Sequence, residues 1–186
     1  MLIVVRHAVA VDRAAWHGSD LARPLTALGE RQAEGLVLRL EDYPVERILS
    51  SPAQRCLYTV APLARQRLVP VEPFDALGLD ADAGDLLHLL WDADMAAAVL
   101  CGHGETIGEL IARLVDEGGF EALTPQWPKG STWLLQGLAP GRVAGRYLPP
   151  LTYDPDLWPG TEHDPGGRVW GPAAAHRTAD PARGLP

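Results

Sequence analysis

Leu2-Ile3-Val4-Val5-Arg6-His7 sets four consecutive apolar residues directly before two polar ones. A continuous apolar run this short is the mark of a strand buried on both faces, and it predicts a central strand that delivers Arg6 and His7 at its exit. The same figure returns twice. Arg47-Ile48-Leu49-Ser50 runs into Ser51-Pro52-Ala53-Gln54-Arg55, and Ala97-Ala98-Val99-Leu100-Cys101 runs into Gly102-His103-Gly104. Helical periodicity fills the intervals. Thr26 is placed to cap a helix carrying Ala33, Leu36, Val37 and Leu40, closed by Pro44. Pro52 suits the first turn of a second helix, whose stripe is Ala53, Leu57, Val60 and Ala64, and Pro62 should kink or shorten it. Ile107, Leu110, Ile111 and Leu114 mark another helix, ended by Gly118-Gly119.

Weaker signals suggest a third strand at Val69 to Val71, an acidic loop, a helix around Leu86 to Trp91, and a hairpin of Ser131 to Leu138 with Arg142 to Leu148 turning at Ala139-Pro140-Gly141. Strands alternating with helices predict an α/β fold, a three-layer α/β/α architecture around a mostly parallel central sheet. Residues 1–150 are expected to form one domain. Residues 151–186 hold six Pro and five Gly, a texture associated with irregular chain, although Tyr153, Trp158 and Trp170 offer apolar groups that would dock parts of it.

The 186 residues carry a net charge of −8. That balance excludes nucleic acid and anionic membrane as partners of the surface as a whole, so an anionic ligand must be attracted locally. Cys56 and Cys101 are too few for a disulfide framework and read as core thiols of a reducing compartment. Met1 leads straight into the first strand and no apolar run reaches membrane-spanning length, which predicts a cytoplasmic protein.

In an open parallel sheet the carboxyl ends of the strands line the ligand crevice. Arg6-His7, Ser51 to Arg55 and Gly102-His103-Gly104 therefore converge on one crevice. Two imidazoles and two guanidiniums supply a nucleophile and fixed N–H donors, the equipment of phosphoryl transfer, where positioning and charge neutralisation dominate. Arg matches phosphate oxygens with a planar fork. His7 must be neutral to attack phosphorus, a form that neighbouring guanidiniums favour, with its other ring nitrogen donating to a carbonyl.

Val5-Arg6-His7-Ala8 resembles the Arg-His-Gly signature of the histidine phosphatase superfamily, the phosphoglycerate mutase-like group, with Ala8 in place of Gly. Ser51-Pro52-Ala53-Gln54-Arg55-Cys56-Leu57-Tyr58-Thr59 is similar to its Ser-Pro-x-x-Arg-Ala-x-x-Thr motif, Gly102-His103-Gly104 to its second histidine motif, and Arg23-Pro24-Leu25-Thr26-Ala27-Leu28-Gly29 to the start of its first helix. The resemblance runs from residue 1 to about residue 148. Shortness and the Arg-Pro-Leu-Thr stretch resemble small phosphohistidine phosphatases, while Lys129-Gly130-Ser131-Thr132 and the Trp16 loop look closer to the phosphatase domain fused to some Nudix hydrolases. The resemblance implies a phosphohistidine intermediate on His7, a phosphate pocket of Arg6, Arg55 and His103, no cofactor and no metal. It also implies that a small phosphorylated compound or a phosphohistidine protein is the substrate. Arg13 and Arg23 are candidate substrate contacts, each weighed against a surface or ion-pairing role. The Glu that many relatives use as general acid is missing, and Asp80 is the candidate in its region, with Asp75 and Asp82 as rivals.

Two other classes compete. A noncatalytic phosphate-binding or scaffold domain would bind phosphate without turnover. A metallohydrolase built on His7, His17 and His103 is disfavoured, because helical i, i+4 spacing is absent and paired Arg would repel a dication. His88 and Glu105 read as a helix-surface residue and a residue of a helix first turn, and His163 and His176 belong to the tail.

Overall fold

The computed structural model describes residues 1–90, 92–116, 126–137 and 143–157. The expectations for Trp91, Gly118-Gly119, Ala139-Pro140-Gly141, Trp158, His163, Trp170 and His176 lie outside those residues. Strands β1 (Leu2–Arg6), β2 (Arg47–Ser50), β3 (Val71–Pro73), β4 (Ala98–Gly102), β5 (Thr132–Gln136) and β6 (Ala144–Leu148) form one sheet in the order β3-β2-β4-β1-β5-β6. The four strands β3, β2, β4 and β1 run parallel, and the hairpin β5–β6 adds antiparallel to β1.

Alternation along the strands builds two cores. Ile3, Val5, Ile48, Val99 and Cys101 face α1 (Ala27–Arg39) and α2 (Gln54–Arg67) through Leu36, Leu40, Cys56, Val60 and Leu63. Leu2, Val4, Leu49 and Leu100 face α3 (Ala83–Leu90) and α4 (Gly104–Asp116) through Leu86, Ile107, Leu110 and Ile111. Each such aliphatic side chain contributes roughly 1.5–3 kcal/mol by leaving water. The arrangement is the three-layer α/β/α fold, and both cysteines are free thiols inside it. No helix among the described residues is long and apolar enough to cross a membrane.

Thr26 caps α1 as expected, its hydroxyl accepting from the Gly29 N–H at 3.1 Å. Three local expectations are corrected. α2 begins at Gln54 with Ala53 as N-cap, so Pro52 lies before the helix. Ser51 is still on the sheet ladder, donating its N–H to Cys101 O, and its hydroxyl accepts from Ala53 N–H, which delays the first turn. α2 also runs through Pro62 to Arg67, so of the two outcomes expected at that proline shortening does not occur, and Val60, Leu63 and Ala64 bury the stripe around it. β3 pairs at Val71–Pro73 rather than Val69–Val71, since Leu68 turns into the left-handed region and Val69 N–H donates back to Ala64 O. Beyond β6, Tyr153 N–H donates to Arg31 O, and Gly35 leaves room for the backbone of Leu151.

Candidate active site

The sheet register assembles the site. Arg6 pairs with Gly102 and Ser50 with Cys101, and the ladder continues one step further through His7 N–H to Gly102 O and Ser51 N–H to Cys101 O. His7, Ser51 and His103 are thereby set side by side at the carboxyl edge. The rings of His7 and His103 meet edge to face with centroids 5.5 Å apart. Arg55, one residue into α2, is 1% exposed and reaches the same place, its Nη2 3.4 Å from His103 Nδ1.

His7 Nδ1 lies 2.7 Å from Ala8 O. A carbonyl only accepts, so Nδ1 carries the proton and the Nε2 lone pair is left for an electrophile. Burial, opposed by that hydrogen bond and reinforced by His103, Arg55 and Arg6, lowers the His7 pKa to about 3. The ring is neutral at pH 7. Ser51 Oγ lies 2.9 Å from His103 Nε2, and Arg55 donates toward Nδ1, so Nε2–H of His103 donates to the serine.

Small residues make room for this cluster. A Cβ at Gly104 would overlap the Arg6 guanidinium, which is why Arg6 can lie across the start of α4 and donate through Nη1 to Trp127 O at 2.7 Å. Gly130, at φ +81°, donates its N–H to Arg6 O and His7 O, pinning the turn after β1 from behind. Thr59 joins α2 to that turn: its hydroxyl accepts from Ala8 N–H at 2.9 Å and donates to Arg55 O at 2.7 Å. Arg6 Nε and Arg55 Nε are buried donors with no hydrogen-bond partner. Burying an unpaired donor costs about 1–3 kcal/mol, a cost that an oxyanion would relieve.

Sequence reasoning had not assigned Asp20 any role. It sits in a 3-10 turn (Asp20–Ala22), and its carboxylate pairs with Arg13 at 2.7 Å, Arg23 at 2.9 Å and Arg55 at 3.0 Å. Its carboxyl is held below the usual range: burial pushes upward, but the hydrogen bond from Arg23 and the charges of Arg55, Arg23 and Arg13 outweigh it. Arg23 is buried and Arg13 exposed, so both candidate substrate contacts meet this carboxylate in the structure. Asp80, Asp75 and Asp82 stand apart, on the exposed wall of a neighbouring groove of about 610 Å³ whose lining includes Leu21 and Pro52. His17 and His88 are exposed, and Glu105 occupies the first turn of α4. Among the described residues no cluster of metal-ligating side chains forms. A larger cavity of about 810 Å³ between α1 and α2 includes none of the polar residues of the strand ends.

A mostly parallel sheet that gathers two imidazoles and two guanidiniums at one edge, between layers of helices, defines an α/β protein of the three-layer class. Residues 2–116 match the family model of the histidine phosphatase superfamily (branch 1), and the chain belongs to that family. A relative named 8-oxo-(d)GTP phosphatase, from Mycolicibacterium smegmatis, is 32% identical over 155 residues, covering 80% of this chain and 48% of its own length. The chain thus spans about half the length of that curated relative. The fold is shared with the protein histidine phosphatase SixA complexed with tungstate, at a TM-score of 0.60, 20% identity, 81% of this chain and 96% of that one. An Agrobacterium tumefaciens protein that carries the name phosphohistidine phosphatase SixA matches at a TM-score of 0.63 and 24% identity, over 82% of this chain and 97% of its own.

Proposed function

We propose that the chain is a cytoplasmic, metal-independent phosphatase that hydrolyses a phosphomonoester, phosphoanhydride or phosphohistidine through a phosphohistidine on His7. The observation that carries this reading is the neutral imidazole of His7, its Nδ1–H tied to Ala8 O, beside two buried guanidinium N–H groups that lack partners. Nε2 attacks phosphorus while the guanidiniums of Arg6 and Arg55 neutralise the equatorial oxygens in a pocket that His103 borders, and the bond to the leaving group breaks as that group takes a proton. Water then attacks the phosphohistidine, inorganic phosphate leaves, and His7 returns to its neutral form.

Asp80 is the candidate proton donor to the leaving group, and Arg13 and Arg23 are candidate contacts of a substrate phosphate. The substrate is a small phosphorylated compound or a phosphohistidine protein: the names of the relatives span both, and a net charge of −8 disfavours nucleic acid and anionic membrane. Rapid-quench labelling across a panel that includes nucleoside diphosphates, nucleoside triphosphates and a phosphohistidine protein tests it. Acid-labile, base-stable phosphate should appear on the wild-type chain. His7→Ala should lose both the label and turnover, by a factor on the order of 10⁴ or more. A His7→Ala chain that still turned over would end the proposal, and phosphate binding with no turnover of any substrate would make the domain a noncatalytic one.

A further inference from the structure

An anion pocket that holds its own carboxylate needs explaining, because Asp20 competes with any phosphate for the guanidinium of Arg55. Both terminal nitrogens of Arg55 are committed to Asp20, Nη1 to its backbone carbonyl at 2.7 Å and Nη2 to its carboxylate at 3.0 Å. Nη2 also lies 3.4 Å from His103 Nδ1, and Nε is buried and without a partner. The carboxylate also collects Arg13 and Arg23 from the same loop, and Arg23 Nη1 donates to Val11 O at 2.8 Å. One acidic side chain, 15% exposed, therefore ties the loop after β1 to the first turn of α2.

We infer that Asp20 is a positioning residue for phosphoryl transfer: it fixes the plane of the Arg55 guanidinium against His103, beside His7. The inference rests on the phosphatase reading for its kinetic consequence and on geometry alone for its structural one. An Arg side chain has several rotatable bonds, and a guanidinium that must be immobilised during the reaction loses much of its worth to the transition state. Fixed beforehand by two contacts to Asp20, it needs no reorganisation. The cost is electrostatic, since Asp20 opposes an incoming anion, and Arg13 and Arg23 offset that cost by neutralising the carboxylate. Asp20 is held ionised, which suits a fixed counterion and not a proton donor.

The two effects separate on mutation. Asp20→Ala removes the carboxylate and leaves Arg55 only the backbone carbonyl of residue 20, so inorganic phosphate should bind as tightly as to wild type, within about threefold, or more tightly. Turnover should fall by about 10²-fold, because one donor to the transition state is no longer held in place. Titration calorimetry with inorganic phosphate and steady-state kinetics on a substrate of the wild-type enzyme read these two quantities. The Arg55 Nε–H signal in a nitrogen-15 NMR spectrum of the phosphate complex reads the immobilisation directly: sharp in wild type, broadened or lost in Asp20→Ala. Asp20→Glu, which keeps the charge, covers the case of an Ala variant that does not fold, and should bind phosphate within about threefold while losing the sharp Nε–H signal. An unchanged Nε–H signal, or phosphate affinity and turnover falling by the same factor, would overturn the assignment. The NMR readout needs no turnover, so the positioning role and the phosphatase reading fail separately.

Discussion

The histidine–arginine floor and the adjacent aspartate groove are built on opposite terms. On the floor, His7, Ser51, Arg55 and His103 are at most 5% exposed, and each is held by a backbone ladder or by a neighbour in the cluster. In the groove, Asp75, Asp80, Asp82 and Asp85 are all exposed, on a 3-10 turn, a loop and the start of α3. A reacting group held to a fraction of an ångström has to be anchored by the sheet, whereas discrimination among leaving groups tolerates looser surroundings. The floor is also cationic where the groove is anionic.

Breaking the floor should produce the larger effect. Arg55→Ala removes a buried guanidinium from the pocket and leaves Asp20 without one of its partners, and kcat/KM should fall on the order of 10²–10³. Arg55→Lys should not restore it, because a single ammonium cannot reproduce the planar fork that meets both the carbonyl and the carboxylate of Asp20. Kinetics combined with a melting curve check this, and a lysine variant within threefold of wild type would show that the floor works by charge alone.

The groove should respond according to the leaving group. If Asp80 protonates the departing oxygen, Asp80→Asn should slow an alkyl phosphomonoester by about 10². An acyl phosphate, whose leaving group departs without a proton, should change less than threefold. Equal losses on both would reduce the aspartate to a field effect, and assign the groove to steering rather than to chemistry.

The same contrast governs what could be read from the sequence. β1, β2 and β4 are legible because their apolar runs stop abruptly at polar residues, and the parallel register then places His7 beside His103. Nothing local marks Asp20: it lies in a loop without periodicity, and its three arginines stand seven residues before it, three after it and on another helix. Thr59 belonged to a quoted motif, yet its work, bridging Ala8 to the backbone of Arg55, emerges only when α2 packs against the turn after β1. The misplaced β3 follows the same logic, since Val69-Pro70-Val71 carries strand-forming residues and only the backward hydrogen bond from Val69 decides where pairing begins.

Per pH unit, the smallest predicted effect concerns stability. Because the folded chain holds His7 at a pKa of about 3 against about 6.5 when exposed, the unfolded chain binds one more proton between those values. Unfolding free energy should therefore be unaffected by this group above pH 6.5 and decline as pH falls through the window, by at most about 1.4 kcal/mol per pH unit. His7→Gln removes the titration while leaving the carboxylates common to both chains. Denaturant midpoints measured from pH 7 to pH 4 should converge toward acid, with the variant showing the shallower slope. Parallel slopes would mean that His7 takes up its proton in the folded state as readily as in water, and that the floor is wetter than its burial implies.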